Sequence, residues 1–175
     1  MLAIGLAGSA CGGASRGSFA WLRPQPPPSG WLVARIPTGA QLPYPPGWRI
    51  VHGDRGTATA ALVGPRGRYV GYLNVTPRQG DERLAGWASF RTSHNVEEGD
   101  HAVKRLAAAT NLRFRTGRGS CVKDSYTTEV ETRYVEIACL VAGRTASTVI
   151  VGTSPPSSWA RTSGLLERAI EGFTT

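Results

Sequence analysis

The stretch from Cys121 to Cys139, CVKDSYTTEVETRYVEIAC, sets a cysteine at each outer end of two β-rich runs with a break between them. Folding the chain back near Val130 brings the two sulfurs opposite one another, as a cross-strand disulfide requires, and such bonds persist in oxidising compartments. One stretch therefore constrains both topology, an antiparallel hairpin, and location, outside the cytosol. Its register does not close neatly. Pairing Cys121 directly with Cys139 sets Asp124 against Glu136, a like-charge pair that destabilises a ladder. Sliding by one residue matches Val122 and Tyr126 with the apolar face of Val135, Ile137 and Cys139, but turns Cys121 to the other face. A bulge near Gly119 or Ser120 would reconcile the two, so irregular backbone is expected there.

With three cysteines in the chain, that pairing leaves Cys11 alone near the N-terminus. The run MLAIGLAGSA ahead of it, with Ser9 and Ala10 before the cysteine and Gly12 and Gly13 after it, resembles the lipobox of bacterial lipoproteins. In that family the matching cysteine receives a diacylglycerol and becomes the mature N-terminus. Two features depart from the pattern. Gly8 stands where an aliphatic residue is preferred, and no Lys or Arg precedes Cys11, whereas export signals open with a positive segment. A start placed too far downstream accounts for the second departure; an incidental free cysteine in a tail is the rival reading. Residues 1–11 are thus read as a truncated lipoprotein signal-like segment. Its implied partner is a membrane, reached through a lipid anchor on Cys11. No other segment approaches the roughly 18 apolar residues of a membrane span.

At 175 residues and 18.6 kDa, with 41% hydrophobic residues and a mean hydropathy of -0.19, the chain suits one domain plus a tail. The net charge is +8, carried mostly by arginine, yet the arginines are scattered with no run of five or six like charges. That argues against a dedicated nucleic-acid stripe and leaves a general attraction to acidic surfaces. Residues 12–30 read as a Gly/Ser/Pro-rich tether, with GGASRGS flexible and RPQPPPSG extended. Phe19, Trp21 and Leu22 interrupt it, and rest either on the domain or at a membrane interface. Residues 31–175 read as a single domain, expected to be monomeric.

Within that domain WLVARI is a strand stopped by Pro37, and LPYPPGW is a turn that delivers Trp48 inward. RIVH, TATAALV and RYVGYLNVT form a three-stranded meander through GDRG and GPRG turns. From Asp81, DERLAGWASFRTSHN carries Leu84, Trp87, Phe90/Arg91 and His94 at helical spacing. HAVKRLAAATN (101–111) fits either a helix or a strand, and LRFR (112–115) reads as a strand. After the hairpin comes a strand around Thr148–Val151. SPPSSWARTSGLLERAIEGF then forms a helix capped by Ser157 or Ser158, with Trp159, Leu166, Ile170 and Phe173 on one stripe.

Strands, helix, strands, helix give an α+β class: an antiparallel sheet of two meanders covered by a central and a C-terminal helix. The PYPPGW entry, central helix, late meander and terminal W…LLERAIEGF helix resemble the PsbP-like fold, which also occurs in small actinobacterial lipoproteins of the LpqN type. The resemblance runs from Trp31 onward. It implies an extracytoplasmic accessory or binding module without established chemistry.

Catalytic signatures are missing from residues 31–175: there is no G-x-S-x-G there (the match Gly13–Gly17 falls in the Gly/Ser-rich tether), no phosphate-binding glycine loop, no H-E-x-x-H and no C-x-x-C. His94 and His101, with Glu97, Glu98 and Asp100 nearby, lack metal-ligand spacing and read as a solvated acidic loop, so neither metal nor cofactor is expected. The candidate ligand site is Trp87, Arg91, His94 and Asn95. In a cleft between helix and sheet, Arg and Asn would hold an anionic or sugar ligand against a Trp wall. The alternative puts Trp87 in the core, with Arg91 and Asn95 at the helix surface and its C-cap. Asn74-Val75-Thr76 matches a glycosylation sequon, which a bacterial lipobox makes irrelevant. The function expected is a lipid-anchored, extracytoplasmic, non-catalytic module binding a ligand, cell-wall polymer or envelope protein. The alternatives are a small secreted enzyme with a dispersed site, or a basic protein adhering to acidic wall polymer or lipid headgroups.

Overall fold

The computed structural model describes residues 16–175, with side chains from Ser18 onward, so Cys11 and the signal-like segment lie outside the described residues. Strands β1 (Leu32–Arg35) and β2 (Gln41–Tyr44) form a small antiparallel sheet. The meander β3 (Arg49–Val51), β4 (Ala58–Val63) and β5 (Tyr69–Pro77) leads to helix α1 (Trp87–Glu97). A second meander follows: β6 (His101–Arg113), β7 (Arg118–Thr127), β8 (Arg133–Ala142) and β9 (Ser147–Ser154). Helix α2 (Pro156–Gly172) ends the chain. Pairing of β5 with β9 joins the meanders into one antiparallel sheet of order β3-β4-β5-β9-β8-β7-β6. The class is α+β, as the order of elements implied.

Alternation along the strands gives this sheet two faces with different fates. One carries Leu73, Val75, Ile137, Cys139 and Ile150 against Leu166 and Ile170 from α2 and Phe173 just past its end, all fully or almost fully buried. Trp48 is delivered into this layer, where its ring closes on Gly71. The small sheet also packs on α2 through β2. Phe19 is buried here, with Trp21 and Leu22 against the same core, so these aromatic and aliphatic groups rest on the domain. Beyond them, Arg23 donates its backbone N–H to Glu171 Oε1 at 3.1 Å, and Gln25 donates from Nε2 to Glu171 Oε2 at 2.8 Å. The other face holds a smaller cluster of Trp87, Val122, Ala138, Leu140 and Val151 beneath α1.

The hairpin adopts the direct register. Cys121 pairs with Cys139 and Asp124 with Glu136, in a ladder unbroken from Arg118↔Ala142 to Thr127↔Arg133. The disulfide Cys121–Cys139 joins the two strands, with a Cα–Cα separation of 4.1 Å. The bulge expected near Gly119 or Ser120 is absent from this pair; irregularity falls on the far side of β7, where β6 slips three times, once between Ala109 and Leu112. Residues 101–111 are strand throughout. The alanine-rich helical spacing there yields to the ladder offered by β7, since packing and pairing override a weak local preference.

Other boundaries move for local reasons. LPY, expected as the start of a turn, belongs to β2: Pro43 sits in a two-stranded sheet where a missing N–H is tolerated. Helix α1 begins at Trp87, because Gly86 takes a left-handed conformation with φ 85° and breaks the continuity from Asp81. Of LRFR, Leu112 and Arg113 complete β6, while Phe114 turns inward and is buried. Helix α2 starts two residues earlier than a Ser157 cap allows, with Pro155 at the N-cap and Pro156 as its first residue.

Candidate functional site

Seven strands at about 4.8 Å spacing make a sheet roughly 29 Å across, whereas one helix with its side chains is about 10–12 Å wide, and α1 runs along β8, with Trp87 at Ala138 and Arg91 at Glu136. Helix α1 packs over β6 and β7 and reaches β8 with its inward side chains, leaving the β4-β5-β9 part of that face open. The result is a cleft of about 780 Å³. Its floor is Thr59, Tyr72, Asn74, Thr76, Val149 and Val151, which project from three neighbouring strands. One wall is α1; the rim is completed by Gly53, Asp54 and Thr57 and by Pro77 and residues 79 to 82.

Polar groups on the floor are held in a chain. Asn74 Nδ2 donates to Thr59 Oγ1 at 2.8 Å, and Thr76 Oγ1 donates to Asn74 Oδ1 at 2.7 Å. Asn74 thus belongs to the cleft floor. On the rim, Glu82 accepts backbone N–H bonds from Gln79 at 3.1 Å and Gly80 at 2.6 Å. Burial works to raise its carboxyl pKa, but these N–H groups, its own N–H and nearby Arg78 outweigh burial and hold it below the usual range. The helical wall is a row of rings: Trp87 stacks on Phe90 and Phe90 on His94, each pair 5.8 Å apart. His94 also lies 3.2 Å from Glu98 and 4.0 Å from Glu97.

The four residues singled out from sequence separate into different roles. Trp87 is 2% exposed and donates Nε1–H to Ala138 O at 2.9 Å, so it fills the core and shows only an edge to the cleft. Arg91 lies at the inner end of the cleft and grips Glu136 with both ends of its guanidinium, at 2.7 and 2.9 Å. Burial opposes its charge, but the carboxylate prevails and raises its pKa. His94 is half exposed on the wall. Asn95 is fully buried beneath the helix rather than at its C-cap and is not part of the cleft lining. Sequence reasoning missed Thr59, Asn74, Glu82 and Phe90. Phe90 carried a signal, as an aromatic at helical spacing from Trp87 and His94.

Beneath Arg91 lies a second polar cluster. Tyr126 donates to Glu136 Oε2 at 3.3 Å, and Asp124, the cross-strand partner of Glu136, is fully buried with neither carboxyl oxygen hydrogen-bonded. Burial first, then the charge of Glu136, push the Asp124 pKa up to about 8, against the opposing pull of Arg91. Burial and Glu136 likewise raise the phenol pKa values of Tyr72 and Tyr126.

No family model matches the chain, and no curated protein matches it. Solved structures do. CyanoP, the cyanobacterial PsbP of Synechocystis sp. PCC 6803, aligns with a TM-score of 0.58 at 13% identity, covering 83% of this chain and 92% of its own. PA94 of Pseudomonas aeruginosa, a protein of unknown function, aligns with a TM-score of 0.54 at 14% identity, covering 83% and 96% respectively. At such identities the likeness concerns architecture: the chain has a PsbP-like fold.

Proposed function

We propose that this protein is an extracytoplasmic module, lipid-anchored through Cys11, that binds a small polar ligand or partner group in the cleft without transforming it. The observation that carries the reading is the composition of the cleft: a locked Asn/Thr floor, a stacked aromatic wall and a carboxylate rim. Pockets that recognise polar molecules combine an apolar or aromatic surface with a few fixed donors and acceptors. Asp54, Asp81, Glu82 and Glu98 line it, and its single guanidinium, Arg91, is neutralised by Glu136. The sign of that lining favours a neutral polyol or an amine over the anionic ligand that Arg91 and Asn95 suggested from sequence. A disulfide in the core and the lipobox-like segment ahead of Cys11 support the address. The domain division, a segment 1–11, a tether 12–30 and a domain 31–175, belongs to the same reading.

The test is titration calorimetry against neutral oligosaccharides, amines and anionic sugars, with Thr76→Trp to fill the floor. Binding of a neutral or cationic compound that disappears in the filled variant supports the reading. Binding confined to anions, or unaffected by the substitution, refutes it. Intact-mass analysis of exported protein tests the anchor: a diacylglycerol mass on Cys11 supports it, and an unmodified Cys11 in a chain retaining Met1 refutes it.

A further inference from the structure

Between Asp100 and Asp124 the sequence contains no acidic residue and six basic ones. The fold separates them. Lys123 lies over the Trp159 ring at 4.8 Å, whereas Lys104, Arg105, Arg113, Arg115 and Arg118 are all exposed on β6 and its turn into β7. β6 is an edge strand, so these cations stand at one margin of the molecule. Arg113 and Arg118 are direct cross-strand partners, a like-charge pairing that works against the hairpin. Among the described residues no ion pair engages any of the five; Arg115 donates to Gly172 O and Arg118 to Asn111 Oδ1, both neutral oxygens. Protecting a sheet edge explains Lys104, Arg105 and the three slips of β6, since charge and bulges discourage strand addition. It does not explain three arginines at the hairpin end.

From Arg105 to Arg113 the strand runs alongside Asp124 to Arg118 of β7, about 20 Å, too far for one small anion and well suited to an extended anionic surface. The chain enters at the same margin: the short 3-10 turn Arg16–Phe19 packs on β6. From residue 11 to residue 16 a fully extended chain spans at most ~17 Å. A lipid on Cys11 would therefore hold this margin within reach of lipid headgroups. We infer that the β6 edge and the β6–β7 turn, through Lys104, Arg105, Arg113, Arg115 and Arg118, form a docking surface for the anionic headgroups of a bilayer. This inference rests on the anchor reading for its geometry, and cations near such a surface supply the second attachment that a single lipid group needs.

The test separates the two claims by using full-length chain with Cys11→Ser, which carries no lipid. Co-sedimentation is measured with phosphatidylglycerol–phosphatidylcholine vesicles and with phosphatidylcholine alone, at low and high salt. The triple variant Arg113→Ser/Arg115→Ser/Arg118→Ser is compared with Arg49→Ser/Arg55→Ser/Arg66→Ser, which removes equal charge from the opposite end of the sheet. The expected result is salt-sensitive binding to the anionic vesicles alone. It should fall on the order of a hundredfold in the first triple and less than about fivefold in the second, at a contribution near fivefold per cation. Matching far-UV dichroism and melting curves establish that both variants are folded. No preference for anionic vesicles, equal losses in both triples, or binding to polyphosphate without binding to vesicles would each overturn the inference. Failure of lipid attachment to Cys11 is read separately, by mass, and leaves this result intact.

Discussion

Replacing Asp124 by Asn should change how stability depends on pH, and the direction follows from the groups around it. Asp124 on β7 faces Glu136 on β8, and the one guanidinium in contact, Arg91 from α1, is committed to Glu136. Arg105, its partner in β6, is exposed and makes no ion pair with it; Asp100, after α1, adds a further repulsion. Asp124 is thus left beside a carboxylate without a cation of its own, and it holds its proton up to about pH 8, whereas an unfolded chain releases it near 4. Between those values the folded state binds a proton that the unfolded state lacks, so stability must fall as pH rises. The slope is about 1.4 kcal/mol per pH unit, giving roughly 4–6 kcal/mol across the window and none beyond it. Asn has nearly the same shape and cannot ionise. The raised carboxyls of Asp100 and Glu167 act in the same direction but remain in both proteins, and so cancel in the difference. Urea unfolding of Cys11→Ser and Cys11→Ser/Asp124→Asn, from about pH 4 to about pH 9 without reductant, reads this difference directly. The variant should gain on the parent steadily up to about pH 8 and hold its advantage above. Parallel curves, or a variant that loses ground as pH rises, would refute the assignment of that proton.

Further substitutions probe the other supports. Arg91→Leu leaves Glu136, whose side chain is fully buried, without its cation and should cost about 3–5 kcal/mol in urea at neutral pH; a loss under about 1 kcal/mol would contradict the pairing. Cys121→Ala/Cys139→Ala opens a crosslink of sequence separation 18 and should cost about 3 kcal/mol, by comparison of denaturation midpoints. Gly119→Ala sets a Cβ at 2.7 Å from Leu140 O and 2.6 Å from the Phe114 ring, so a loss of about 1–3 kcal/mol is expected by thermal melting. Trp87→Phe removes the donor to Ala138 O while keeping an aromatic ring, and should cost about 1–3 kcal/mol.

The parts of this fold legible in the sequence were those whose determinants lie close together. Two cysteines bracketing one hairpin announced a bond, and Leu166, Ile170 and Phe173 announced the buried stripe of α2. Helix α1 was harder because its inward line, Trp87, Arg91 and Asn95, is two-thirds polar. Arg91 looks like a surface residue until Glu136, on a strand formed much later in the chain, is set beneath it. The objection to the direct hairpin register also dissolves with burial, since Asp124 escapes the repulsion of Glu136 by keeping its proton. β6 shows the opposite failure: its local spacing permits a helix, and only the neighbouring ladder decides. The cleft draws its floor from three strands and its walls from α1 and two loops, none of which carries a motif alone. Its existence follows from a single helix too narrow to roof seven strands.

The splice between β5 and β9 bears on the order in which the molecule can be assembled. β9 is the last strand, and it alone fastens the early meander to the late one, pairing Tyr72 with Thr153 and Pro77 with Thr148. While a ribosome or export channel still holds residues beyond about 140, both half-sheets exist with an unclosed margin and no α2 to cover their apolar side. Such a chain has to be kept from strand-to-strand association until its final fifth or so emerges, and closure across that much intervening sequence is a slow step. Its dependence on being shielded in transit is therefore a property of where one strand falls in the chain.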